Sequence, residues 1–149
     1  MKLSNAIATG RVLLRAHAGI FVEGGYGCAL GMAYKASGLV AESKIVGYTM
    51  NDCFKAWPWT KQIIMKPPCK CTVGDETIGQ AITHLFDIHV MQAAEWKVEA
   101  WTLDQLIDWV RSVERAEDAP SSDGALAATE AHVEVGEKEL TAVTHGHKT

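Results

Sequence analysis

Apolar positions recur at helical spacing over most of the first 115 residues of this chain, and the clearest stripe is the last. Leu103, Leu106, Ile107 and Val110 share one face, and Trp109 widens it. Thr102 followed by Gln105 satisfies a capping box, and Trp101 ahead of the cap can staple onto Leu106. This helix is predicted to end near Glu114-Arg115. A second stripe, Ile78, Ala81, Ile82 and Leu85, starts after a cap at Asp75 or Thr77 and runs, with or without a break, through His89 and Met91 toward Trp96. Ser4 can cap a first helix with Leu3, Ile7 and Leu14 near one face, and Gly10 is its weak point. Cys28 to Ser37 reads as another helix, stopped by Gly38 where a left-handed residue is wanted.

The breaks between these stripes predict the remaining elements. Ile20 to Glu23 reads as a short strand, Gly24-Gly25 as a tight turn and Tyr26 as the start of the return strand. Ile45 to Met50 fits a strand or a short helix. Trp57-Pro58-Trp59 marks a chain reversal, after which Thr60 can cap a short helix through Ile63-Ile64-Met65. Pro67-Pro68 stops that element. Beyond Glu117 the pattern disappears: Pro120 to Gly124 reads as a linker, and no aromatic residue follows. The expected organisation is a small, mostly helical α+β domain over 1–116 with one β-hairpin, and a largely disordered acidic tail over 117–149.

Charge sharpens that division. Residues 116–149 hold seven acids against Lys138 and Lys148, a net charge of −5, which leaves +1 for residues 1–115. A near-neutral body does not favour nucleic acid, whose binders carry a basic face. The apolar run from Val12 to Val22 is interrupted by Arg15 and His17, so it does not fit a membrane span. Met1 to Asn5 lacks the apolar core of a signal peptide, and the four cysteines are therefore expected as reduced thiols in a cytoplasm.

Candidate chemistry concentrates in the middle of the chain. Cys69, Cys71, His84 and His89 lie within 21 positions, a Cys-x-Cys pair separated by twelve residues from His-x4-His. Two thiolates and two imidazoles are a tetrahedral zinc set, and the gap matches a turn plus most of a helix. Two physical objections stand against it. One residue between the cysteines is a tight spacer for two inward-pointing sulfurs. On an ideal α-helix five residues turn the chain so far that His84 and His89 point about 140° apart. A closed four-ligand site would be structural. Binding by only three of the four would open a position for chemistry, with Asp87 or Glu76 as base.

A second candidate is Cys28, set at a helix start after a glycine-rich turn, where exposed amides and the helix dipole favour a thiolate. With His17 as base it would be a weak nucleophile candidate. The competing reading is a small buried cysteine that lets hairpin and helix pack closely. Gly24-Gly25-Tyr26-Gly27 lacks the Lys-Ser/Thr ending of a phosphate loop, and a hairpin explains its glycines. Trp57 and Trp59 are the expected exposed pair, while Trp101 and Trp109 belong to packing. His145 and His147 offer a further metal-binding pair near the end of the chain.

Met1-Lys2-Leu3-Ser4-x-Ala6-Ile7, Cys28-Ala29-Leu30-Gly31-x-Ala33, His84-Leu85-x-Asp87-x-His89, Trp101-Thr102 and Ile107-Asp108-Trp109-Val110 resemble a family of small uncharacterised phage, prophage and bacterial proteins. The resemblance spans roughly residues 1–37 and 69–114. The family's His-Leu segment continues Asn-Asp where this chain has Phe86-Asp87, and its Cys-Pro-x-Cys is here Cys-x-Cys. The family's Trp-Thr capping box follows the second His closely, whereas about nine extra residues, Gln92 to Ala100, intervene here. The resemblance implies a compact helix-rich domain from a mobile element and transfers no activity. The expected function is a non-enzymatic accessory protein that binds a protein partner and carries a structural zinc. The alternatives are a small cysteine- or metal-dependent enzyme and a virion or assembly component.

Overall fold

A computed structural model describes residues 1–39, 50–72 and 74–118. By internal contacts the chain divides into residues 1–118 and 119–149, and only the first unit falls within the described residues. The tail expected over 117–149 is helical at Glu117 and Asp118 and otherwise, with His145 and His147, lies outside them, as do residues 45–49 of the strand or helix expected over Ile45 to Met50. The fold is α+β and mostly helical, as the pattern predicts.

Two helices form the centre. Helix α1 (Leu3–Gly10) packs on α2 (Ala29–Ala36), and α7 (Leu103–Asp118) packs on α1. Leu3, Ala6 and Ile7 of α1 meet Leu30, Met32 and Ala33 of α2 and Leu106, Ile107 and Val110 of α7 in one apolar cluster. Gly10, expected only to weaken α1, instead allows the contact. A Cβ there would lie 1.9 Å from the carbonyl oxygen of Met32, so only glycine lets the two backbones approach. The helix starts two residues earlier than Ser4 as cap would have it, with Lys2 at the cap position. Ser4 is buried inside α1 and its hydroxyl donates to the buried Glu114 carboxylate at 2.5 Å.

The expected hairpin is present as β2 (Val22–Glu23) and β3 (Tyr26–Gly27), joined by Gly24 and Gly25 at positive φ. Leu14 is not helical. The chain turns after α1, and β1 (Arg15–Ala16) joins the sheet parallel to β3, giving the order β1-β3-β2. The sheet is seated on α2 through Gly31, where a Cβ would lie 1.6 Å from the carbonyl oxygen of Phe21. Gly38, at positive φ, follows the end of α2 as expected.

Helix α3 (Met50–Ala56) leads to α4 (Trp59–Gln62). Thr60 does not cap α4. It sits within it, buried, and its hydroxyl donates to the carbonyl of Trp57. Trp57 is buried rather than exposed, with its indole N–H donated to the carbonyl of Met1. Ile64-Met65 is not helical either. It forms β4 (Ile64–Met65), antiparallel to β5 (Glu76–Thr77), a second ribbon that the sequence did not reveal. The β-branched pair Ile63-Ile64 favours that extended backbone over a last helical turn.

Helix α5 (Ile78–His84) opens on Thr77, and Gln80 completes a capping box there. The chain then changes its winding. Leu85–Met91 is a π-helix, followed by α6 (Ala93–Trp96) and a left-handed Lys97 at φ 53°. Helix α7 starts on the predicted capping box, with the Gln105 side chain accepting from Thr102 N–H and the Thr102 hydroxyl accepting from Gln105 N–H. It runs three residues past the predicted end at Arg115. Among the described residues no helix is long and apolar enough to cross a membrane.

Candidate metal centre

Pro67-Pro68 halts the chain after β4, and the Cys69 amide turns back onto the Pro67 carbonyl at 2.8 Å. That bend brings the Cys69 and Cys71 sulfurs to 3.3 Å with Lys70 exposed between them. A one-residue spacer is thus wide enough when the turn begins at a proline pair. All four cysteines are free thiols.

The π-helix answers the objection from helical geometry. Its i→i+5 hydrogen bonds stack residues five apart on successive turns. His84 and His89 therefore face the same side, with ring centroids 5.6 Å apart. The helix widens between them; it neither breaks nor tightens. Leu85 and Phe86, within the same segment, are fully buried in the apolar cluster that includes α7.

One ligand atom from each of Cys69, Cys71, His84 and His89 lies within 4.8 Å of the other three. The Cys71 sulfur is 3.2 Å from Nε2 of His84 and 3.0 Å from Nε2 of His89, and the Cys69 sulfur is 3.5 Å from Nε2 of His84. Bond lengths to zinc place tetrahedral S···S pairs about 3.8 Å apart and S···N pairs about 3.6 Å apart. These three pairs and the Cys69–Cys71 pair lie slightly inside those spacings, and the other two pairs lie within 4.8 Å, so a small rearrangement would admit an ion. Two Cys and two His close together in this way could hold a metal ion.

The surroundings fix the imidazoles for that role. His89 is 2% exposed, and its Nδ1 lies 2.7 Å from the Glu99 carbonyl. With the proton on Nδ1 donated to that carbonyl, Nε2 presents its lone pair to the cluster, as metal-bound histidines commonly do. Trp101 packs its ring 6.2 Å from the His89 ring and donates its amide to the His89 carbonyl. Glu99 and Trp101 stand at the end of the 92–100 segment and just past it. The chain at 99–101 therefore braces one ligand. Glu99 acts through its backbone, so no residue type could have marked it. Thr72 was also missed. Its hydroxyl lies 3.2 Å from both the Cys69 sulfur and Nε2 of His84, and its place beside Cys71 was the available signal.

The two thiols differ. Burial pushes Cys69 up, but the Thr72 hydroxyl, the Cys71 thiol and the amides of Thr72 and Cys71 outweigh it and hold Cys69 below the ordinary thiol range. Burial also pushes Cys71 up, and the hydrogen bond and charge of Cys69 add to it. Cys69 is the first sulfur to ionise, and a bound cation would draw the second proton off.

The other candidates lie apart from this cluster. Cys28 is buried at the start of α2, and burial raises its thiol more than the amides of Gly31 and Leu30 lower it. The charge of Asp87 pushes the same way. The thiolate expected from the helix end is outweighed by desolvation. His17 is exposed, with Nδ1 at 2.6 Å from the Ala18 carbonyl and its ring against Tyr26. Asp87 and Glu76 are half-buried, each with one buried oxygen that lacks a hydrogen-bond partner among the described residues, and neither joins the four ligands. Burial raises the Asp87 carboxyl, against the Gly19 amide and the charges of His17 and His84. Trp96, not Trp57, is the well-exposed tryptophan.

Compared with protein families, curated proteins and solved structures, the chain matches none.

Proposed function

We propose that this is a small interaction protein without catalysis of its own, in which zinc ties residues 69–101 into the fold. The convergence of two sulfurs and two Nε2 atoms within 4.8 Å carries the reading. Two thiolates and two imidazoles suit zinc, and four protein ligands fill its tetrahedron, which leaves no position for a reacting water. The ion would neutralise both thiolate charges. A protein partner fits the near-neutral body and the exposed Val12, Leu13, Ile64 and Trp96 better than nucleic acid does. Phage or prophage origin, and action in the cytoplasm of a bacterial host, rest on the resembled motifs and the free thiols.

Elemental analysis of the purified full chain tests the metal. One zinc per chain is expected, with most of it lost in Cys71→Ser, whose exposed side chain can change without opening the apolar core. Another metal at full occupancy, or zinc retained in Cys71→Ser, would count against a four-ligand zinc staple.

A further inference from the structure

The turn between α1 and β1 exposes two consecutive apolar side chains, Val12 at 79% and Leu13 at 52%. They stand at an open hollow of about 700 Å³ whose lining also includes Met32, Leu103, Arg11 and Arg15. Met32 is buried beneath it. The hollow's charged lining is cationic. Arg11 is already paired with Asp104 at the start of α7. Arg15 has no carboxylate partner among the described residues. β1 is also a sheet edge. Arg15 and His17 send their amides to the carbonyls of Gly25 and Gly27, so the peptide groups of Ala16 between them face the opposite side.

An exposed apolar pair, an unpaired cation and an open strand edge, side by side, ask for one kind of occupant. We propose that this surface binds an extended acidic segment of a partner protein, which adds a strand at β1, seats apolar side chains against Val12 and Leu13, and sets a carboxylate on Arg15. Main-chain pairing at a sheet edge supplies affinity, and alternate side chains supply specificity. The positive lining selects acidic over basic sequences. The proposal deepens the interaction-protein reading by naming its surface, and it does not depend on the metal.

The test is fluorescence anisotropy of the full chain with a short labelled peptide alternating Glu and Val. Binding is expected, weakening as salt rises. Arg15→Glu should weaken it by about tenfold or more, and Val12→Ser with Leu13→Ser should abolish it, both with unchanged helicity and zinc content. A peptide alternating Lys and Val should not bind. No binding of the acidic peptide, equal binding of the basic one, or binding indifferent to these variants would overturn the surface. So would binding that appears only when Glu130, Glu134, Glu137 and Glu139 are changed to Gln, since the chain's own acids would then be the occupant. Failure here with one zinc still bound would remove the surface alone, whereas loss of zinc would remove the staple alone.

Discussion

The α1–α2–α7 half and the 69–101 half of this domain are built differently. In the first, apolar side chains at helical spacing are buried on regular helices, and Gly10 lets two backbones nearly touch. In the second, β5 is two residues long, the helix is under-wound into a π form, and polar ligands face one another, Cys71 exposed among them. This half also reaches the apolar cluster, through Ile78, Ile82, Leu85 and Phe86, with Cys69 at its border. Hydrophobic burial holds ordinary helices well. A segment that gives up regular hydrogen bonding to aim its ligands needs another source of order, and an ion is one.

The contrast predicts unequal damage. Gly10→Ala should have the largest effect among substitutions in the apolar half. Its Cβ meets the backbone of Met32, which cannot swing aside as a side chain would, so a loss of about 3 kcal/mol is expected from overpacking. Denaturant unfolding measures it, and a loss well under 1 kcal/mol would show that the helices can slide apart cheaply. Thr102→Ala should cost less, about 1 kcal/mol, by removing the hydroxyl that accepts from Gln105 N–H. The same titration reads it. Any metal content should stay unchanged, since Trp101 and Glu99 brace His89 from outside the helix.

What could be read from sequence followed the same division. The capping box at Thr102, the stripe of α7 and the glycine turn of the hairpin are local, and local pattern was enough for them. The four ligands were legible because their residue types are uncommon together. The π-helix that joins His84 to His89 was not: Leu85 and Phe86 within it are buried among distant elements that the local pattern does not name. Nor was β1, which pairs in parallel with a strand eleven residues on. Its two residues carry no alternation, and Leu14 matched a helical stripe by spacing alone. Ser4 was misassigned for a related reason. A capping serine and a buried one look alike until Glu114 is found across from it.

Amide hydrogen exchange with and without a strong chelator tests most directly whether an ion orders the second half. Removing the metal should deprotect residues 69–101, above all the π-helical stretch, while α1, α2 and α7 keep most of their protection. Equal protection in both states, in a chain shown to have lost its metal, would contradict the account.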